Sequence, residues 1–547
     1  NKMSACAVWI QAPPFCLPMA TILSFLLILF HFFSAESLCG NVLSPTATIP
    51  QACSVTKFPQ ICITSLQQHL SPNPNATQII RAAVAISAGN LPRLRTMVED
   101  ILASSAGNVT RTIAATNTLK SVRNSIYRTG STALALGSAD SPTDLADARA
   151  WLSASLTYLS GSLSGLSGLG PSRQVVGTVA FLNLTIALTG NALRMIAASA
   201  VYGGDVSTWA PLRTERQGFW EDARQGPGFK AVGIPVGLTA DATVCRTAGC
   251  SHTTVQEAVD AAPTNGSRRF VIHIKQGVYN ETVRVELGKT NLVFLGDGVG
   301  KTVVTGALSV GGGIPTTNTP TIAVLGDGFM MSRVTVENTA GSDGGQAVAL
   351  RSDSDRSIIE DCEFLGNQDT LYVGSLRQFY KNCRIVGNVD FIFGNAAAVF
   401  HGCTVLVRPR TSVPARGESN SVTAQGRIDP AQSTGMVFDG CVVNGTEEYV
   451  GLYEQNPKVH KNYLGRPWRM YSRTVFINSY MGALIHSDGW LPWVGDFGLS
   501  TLYYGELRNS GPGAGLAGRV NWSSVIPPEH EAAYSLKAFI QGDKWIP

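Results

Sequence analysis

Two stretches of the 547-residue chain, DCEFLGNQDTLY from Asp361 and NCRIVGNVDFIF from Asn382, are variants of one phrase set 21 residues apart. In each copy an Asp lies seven residues after the Cys, so Cys362 leads to Asp369 and Cys383 to Asp390. Cys403 extends the ruler by a further 20 residues. A repeat of this length, carried by short apolar runs that end in Gly, Asn or Asp (RFVIHIKQG, TNLVFLGDG, KTVVTG, RSIIEDCEFLG), signals a solenoid with strands in every repeat. Three short strands and three turns per coil predict an all-β right-handed parallel β-helix. The Leu-x-x-Leu-x-Leu frame of the competing leucine-rich solenoid is absent. Equivalent positions of successive coils stack about 4.8 Å apart. Asp369 and Asp390 therefore fall side by side. Two carboxylates at that distance resist joint ionisation, and one is kept as an acid while the other is free to act as a nucleophile. Stacked Asp residues can also merely cap turns. Gln368 beside the first and the apolar FIF after the second favour chemistry over capping.

The N-terminal part has another texture. From about residue 50 to 202, apolar residues recur three and four apart in TQIIRAAVAISAGNLPRLRTMVEDILASS and ARAWLSASLTYLSGSL, which predicts an all-α four-helix bundle. SPTDLADARAWL opens one helix with a Ser-Pro start and acidic first turns. Residues 203–240, rich in Gly, Pro and mixed charge, read as a linker, and 241–547 as the β-helix domain. Residues 1–35 read as an upstream extension and a secretory signal. The apolar core Ile22–Phe33 is too short to span a bilayer comfortably, and Ser34 and Ala35 follow it. Seven Asn-x-Ser/Thr triplets agree with export. A net charge of +4 without a basic run interleaved with aromatics argues against nucleic acid and suits weak retention on a polyanion. With no Cys-x-x-Cys and eight dispersed His residues, no metal or cofactor is expected.

The motifs GGQAVALRSDSD, GNQDTLYV, RQFYKNC, GNVDFIFGNAA, VTAQGR and LGRPWRMYSRTVF, in that order, resemble the plant pectin methylesterases, from about Asp241 to the C-terminus. The helical section resembles the pectin methylesterase inhibitor-like pro-region that precedes such enzymes, with Cys53 and Cys62 as the pair of its first hairpin. The resemblance implies an ester hydrolase that removes methyl groups from methyl-esterified homogalacturonan, giving pectate and methanol in the cell wall. Asp390 would be the nucleophile on the C6 carbonyl. Asp369 would protonate departing methanol and then deprotonate water. Gln346 and Gln368 would donate to the oxyanion, Arg466 would hold Asp390 ionised, Trp468 would stack on a sugar, and Thr316 matches a substrate-contact position. The bundle would act in cis as an inhibitor over the cleft containing Asp369, Asp390 and Trp468, tethered by a flexible linker. Separate proteinaceous inhibitors are further expected partners.

Adjacent-coil placement in an exported chain, together with the resemblance, predicts a Cys383–Cys403 disulfide. Cys245 and Cys250 are a second candidate pair. Two departures from the family fall near the cleft: Gly345 precedes Gln346, and Gly374 stands where DTLYV is often followed by His. The usual second Cys pair of the bundle is replaced by Thr118 and the Ser160–Ser162 neighbourhood. A basic-Leu-Leu processing motif is absent, and RTER from Arg213 is the nearest basic cluster. LGDGVGKT lacks the first Gly of a P-loop, and no Gly-x-Ser-x-Gly appears. Two rival functions stay open from the residues alone. One is a backbone-cleaving β-helix enzyme, which also uses paired carboxylates. The other is a non-catalytic wall protein that inhibits esterases.

Overall fold

The computed structural model describes residues 48–70, 73–137, 142–221, 231–410 and 413–547. The expected signal segment and residues 222–230 of the expected linker lie outside the described residues.

Six helices come first: α1 (Thr48–Ser54), α2 (Pro59–Gln67), α3 (Ala76–Ala103), α4 (Val109–Gly137), α5 (Pro142–Ser167) and α6 (Arg173–Tyr202). The four long ones form the bundle. Local chemistry sets their starts. Asn75 and Gln78 make a reciprocal capping box for α3, and the Ser172 hydroxyl accepts from the Val175 amide at the start of α6. Cys53 and Cys62 form the disulfide that joins α1 to α2. At the places expected for a second bridge, Thr118 and Ser162 are buried. Each hydroxyl donates to the carbonyl four residues back in its own helix, so no cross-link ties α4 to α5 there.

The C-terminal part coils through three parallel sheets of 11, 8 and 7 strands. The seven-stranded sheet carries the functional story. In spatial order it holds Val283–Val285, Ile322–Val324, Leu350–Ser352, Leu371–Val373, Val389–Gly394, Glu418–Gln425 and His460–Gly465. Leu350 pairs with Leu371 and Leu371 with Ile392, so the 21-residue spacing is the length of one coil. Inside the eleven-stranded sheet Tyr380, Phe400, Phe438 and Phe476 stack in a ladder with centroid spacings of 4.8, 4.6 and 4.4 Å. Identical coil positions hold similar residues because each ring is the floor for the next.

The cysteine ruler marks one corner of the coil, and the expected Cys383–Cys403 disulfide is not formed. Cys362, Cys383, Cys403 and Cys441 are free, buried thiols. Each follows a residue with positive φ: Asp361, Asn382, Gly402 or Gly440. Each Sγ–H then points to a carbonyl of the previous coil, namely that of Met331, Ile359, Tyr380 or Phe400. In-register stacking keeps these side chains parallel at the interstrand spacing of about 4.8 Å, wider than the roughly 3.8 Å between Cβ atoms that a disulfide favours. The thiols serve as small apolar corner pieces with a weak donor. Cys245 and Cys250 do form a disulfide.

The segment after α6 is not a free tether. Glu215 accepts from Arg473 at 2.7 Å, Arg216 donates to the Trp522 carbonyl at 3.1 Å, and Trp220 stacks on His530 at 4.0 Å.

Candidate active site

Asp369 stands just before the strand Leu371–Val373, and Asp390 lies within Val389–Gly394. The register that pairs Leu371 with Ile392 carries back to place Asp369 opposite Asp390, and the Asp369 amide donates to the Val389 carbonyl at 3.1 Å. Both aspartates adopt left-handed backbone, with φ of 64° and 50°. Asp tolerates this region better than most residues, at a cost on the order of 1–3 kcal/mol. The kink at Asp390 breaks strict alternation. Phe391 and Ile392, neighbours in sequence, both enter the main core, and the register shifts between Val389 and Ile392. Asp390 and Phe393, three residues apart, are thereby freed to serve the opposite face.

The two carboxyls differ in their partners. Arg466 grips Asp390 with both arms, Nε donating to Oδ1 at 2.8 Å and Nη2 to Oδ2 at 2.6 Å. The Asp369 carboxyl is buried and has no hydrogen-bond or ion-pair partner among the described residues. Burial pushes its pKa well above the usual carboxylate range, and the neighbouring Asp390 charge pushes it further. Burial also raises Asp390, but the Arg466 guanidinium opposes that rise. The pair is therefore ordered, with Asp369 holding its proton at a pH where Asp390 has lost its own.

Gln346 and Gln368 are bridged through their backbones on adjacent coils, and the Ala347 amide donates to the Gln368 carbonyl at 3.1 Å. Neither side-chain amide has a partner among the described residues, so both keep donors for a ligand. Trp468 packs with Val348, Tyr372, Phe393 and Ala424 in a small cluster separate from the main core. Its indole lies so close to Gly426 that a Cβ there would sit 2.8 Å from the ring. Thr316 opens a short helical turn beside the same face, where the next carbonyl, Thr317, accepts from Arg351 at 3.1 Å. The seven positions singled out from sequence thus divide into a carboxylate–arginine centre, two glutamines above it, and Trp468 and Thr316 at the flanks.

Sequence reasoning missed three aromatics. Tyr372 and Phe393 pair across adjacent strands and stack at 4.3 Å, and Trp493 lies under the Arg466 guanidinium at 4.5 Å. The signal for the first two was present, since an aromatic follows each Asp by three residues in both repeats. Trp493 had no motif to mark it. The two glycine departures have physical reasons. Gly345 has a φ of 65°, a left-handed conformation that suits Gly. A Cβ at Gly374 would lie 2.4 Å from the Asp353 carboxylate, which accepts from Arg351 and Ser375.

A family model described as Pectinesterase matches residues 241–543, and one described as Plant invertase/pectin methylesterase inhibitor matches residues 47–195. The chain belongs to the pectinesterase family. It is 52% identical over 511 residues to an Arabidopsis thaliana protein described as "Probable pectinesterase/pectinesterase inhibitor 64", covering 91% of this chain and 84% of that one. It is 47% identical over 297 residues to pectinesterase 2 of Citrus sinensis, covering 54% of this chain and 56% of that one. Among solved structures, the pectin methylesterase from carrot matches with 43% identity and a TM-score of 0.54, covering 57% of this chain and 97% of that one.

In this pectinesterase the inhibitor-like bundle seats on the turns that follow the strands of the site. Arg128, 1% exposed, binds Asp327 through both terminal nitrogens at 2.6 and 2.7 Å. Asp147 accepts from Arg377 at 2.6 Å and from Arg356 at 2.7 Å, while Arg377 also grips Asp355. Trp151 donates to Asp355 at 2.9 Å, Tyr158 bonds Ser375 at 2.7 Å, and Arg194 donates to Asp429 at 3.0 Å. No hydrogen bond or ion pair among the described residues joins the bundle to Asp369, Asp390, Gln346, Gln368, Arg466 or Trp468. The bundle occupies the rim, where removing one member of a buried pair would cost about 3–5 kcal/mol.

Proposed function

We propose that the pectin demethylesterification of this family is carried out in this chain by Asp390 as nucleophile and Asp369 as general acid and base. The observation that carries the reading is the contrast between the two carboxyls, one clamped by Arg466 and one buried without a partner. Asp390 attacks the C6 carbonyl of a methyl-esterified galacturonate. The oxyanion that develops takes hydrogen bonds from the Gln346 and Gln368 amides, which donate without neutralising the nucleophile. Asp369 gives its proton to the departing methoxide, and methanol leaves a covalent anhydride on Asp390. Asp369, now ionised, takes a proton from water, whose attack splits the anhydride into the galacturonic acid carboxyl and the Asp390 carboxylate; the product carboxyl then loses its proton to solvent, and both aspartates are restored. Trp468, Tyr372 and Phe393 offer ring faces to the sugars, and Thr316 lies beside them.

The bundle is an inhibitor in cis on this reading. α5 places Trp151 and Tyr158 on Leu376, four residues beyond Tyr372, so the bundle walls one rim of the cleft. Separate proteins with the same helical chemistry are candidate inhibitors for the same rim, and the site of action is the cell wall, after export. Methanol release and polymer length, measured on methyl-esterified pectin with the full chain before and after cleavage within residues 203–240, test both parts. The expected result is methanol without chain shortening, at a rate that rises when the bundle separates. Loss of polymer length before methanol appears would replace the esterase by a backbone-cleaving enzyme. Equal rates with the fragments separated would remove the inhibitor role.

A further inference from the structure

The chain that leaves α6 grips both the bundle and the β-helix. On the bundle side, Asp205 caps the short turn Val206–Thr208 by accepting from the Ser207 amide at 2.9 Å. Trp209, 3% exposed, is sunk in the bundle core with Cys53, Ile80 and Ile196, and its carbonyl accepts from Gln51 at 3.2 Å. On the β-helix side, the turn Glu215–Gln217 sets the Glu215 carboxylate between two buried guanidiniums, 2.7 Å from that of Arg473 and 3.9 Å from that of Arg427. Arg216 reaches the Trp522 carbonyl, and Trp220 lies flat on His530 and edge-on to Tyr503 at 6.2 Å. Glu221 then returns to the bundle. Arg149 of α5 donates to it at 2.8 Å, while the Arg149 Nε donates to the Ala431 carbonyl of the β-helix at 2.6 Å. From Ala231 onward the chain is seated on the β-helix. The Val232 amide donates to the Pro547 carbonyl at 2.6 Å, Lys381 donates to the Val232 carbonyl at 2.8 Å, and Ile234 is buried with Ile358 and Phe379.

The seat of Glu215 is costly to leave empty. Among the described residues Glu215 is the carboxylate that pairs with both Arg427 and Arg473. Burial and the neighbouring Arg473 charge push the Arg427 pKa down to about 9, and Glu215 opposes that fall. Burial would raise Glu215, but the two guanidiniums outweigh it and hold it below the ordinary carboxylate value. Withdrawing the carboxylate would leave two like charges facing each other out of water. The stacked Trp220 adds an aromatic anchor of the kind that dominates interfaces.

We propose that residues 205–221 are a latch of the bundle, which keeps it seated on the β-helix after the chain is cut between Glu221 and Ala231. Such a cut leaves the enzyme restrained. Release requires a cut on the bundle side of Glu215, or loss of the Glu215 and Trp220 contacts. The effect on activity rests on the reading of the bundle as an inhibitor in cis, whereas the latch itself is a matter of binding. The position of a cut, rather than cutting as such, becomes the switch.

The test uses the full chain with the recognition sequence of a site-specific protease substituted between Glu221 and Ala231, alone and combined with Glu215→Gln, Trp220→Ala or Glu221→Gln. Circular dichroism of the uncut chains checks that each is folded. After cutting, the two fragments of the parent chain should co-elute in size exclusion at micromolar concentration and release methanol from methyl-esterified pectin at the uncut rate. Glu215→Gln should raise the dissociation constant of the cut pair by about 10²-fold or more, the scale of orphaning buried charge. Trp220→Ala should raise it about tenfold. Glu221→Gln, at a half-exposed position, should raise it less than about fivefold. Methanol release should rise in step with separation. Parent fragments that part at micromolar concentration, or a dissociation constant unmoved by both Glu215→Gln and Trp220→Ala, would overturn the latch. Fragments that part only in the variants, with no rise in methanol release, would uphold the latch and overturn the inhibitor reading instead.

Discussion

The coil that carries Asp369 and the coil that carries Asp390 are near copies in sequence, stacked in register, each with a left-handed aspartate and an aromatic three residues later. Their electrostatic surroundings differ. Asp390 receives a guanidinium from Arg466, which follows a strand two places away in the sheet, so the side chain must span roughly 9.6 Å of stacked backbone. Asp369 lies one coil farther, makes no bond to Arg466, and is raised by burial and by the Asp390 charge. A repeat thus builds two identical carboxyls, and one long side chain entering from outside the repeat makes them different. The lesson concerns the source of asymmetry in a solenoid. Stacking provides proximity, and a residue off the ladder assigns the roles.

The largest effect that would test this asymmetry is at Asp390. Asp390→Asn should cut methanol release on the order of 10⁵-fold or more, the scale of losing a nucleophile, while circular dichroism stays that of the folded chain. Residual turnover within about tenfold of the wild type would mean that the two coils have exchanged roles or that neither carboxyl attacks. Next come the glutamines. They sit on adjacent coils with unpaired amides, and Gln346→Ala and Gln368→Ala should each lower kcat by about 10²–10³ if they donate to the oxyanion. Steady-state kinetics with near-normal kcat in both would strip them of that role and leave the carboxyl pair without electrophilic help.

Much of this could be read before any coordinates, for reasons that differ by residue. The coil length and the stacked aspartates were legible because a parallel solenoid turns a sequence interval directly into a spatial neighbour. Arg466 and Trp468 were legible only through resemblance, since nothing in the spacing from Asp390 says that a residue 76 positions on returns to it. The docking of the bundle was not legible. Arg128 and Asp327 are 199 residues apart, as an Arg and an Asp in a chain with dozens of each charge, and only tertiary packing pairs them. The thiol ladder misled for a geometric reason: the same stacking that brings Cys383 to Cys403 also holds their side chains parallel. The expectation of a flexible tether does not hold over residues 215–220, because Gly, Pro and mixed charge describe loss of periodicity rather than loss of structure. Glu215 and Trp220 find partners on the β-helix that composition does not reveal.

The smallest expected effect isolates the burial of Asp369 from its catalysis. Its pKa in the folded chain is raised, so below the unfolded value of about 3.9 the carboxyl is protonated in both states and costs nothing. As pH rises above that value the unfolded chain ionises freely while the folded chain still holds the proton, and stability falls until pH passes the raised value. Asp369→Asn replaces the protonated carboxyl by a neutral isostere and removes this dependence. The variant should therefore melt a few degrees above the wild type near neutral pH, with the gain shrinking toward zero as pH approaches 4. Asp390→Asn should gain less. Burial raises the Asp390 pKa as well, so the sign of its pH dependence is the same, but the Arg466 guanidinium opposes the rise, and the substitution leaves that guanidinium, 27% exposed, facing a neutral amide. Its gain over the wild type near neutral pH should be the smaller of the two. Thermal scans of the two variants from pH 4 to 8 thus compare the coils without any substrate. Equal gains would show that the guanidinium does not distinguish them, whereas a larger gain for Asp369→Asn would locate the asymmetry in Arg466 itself.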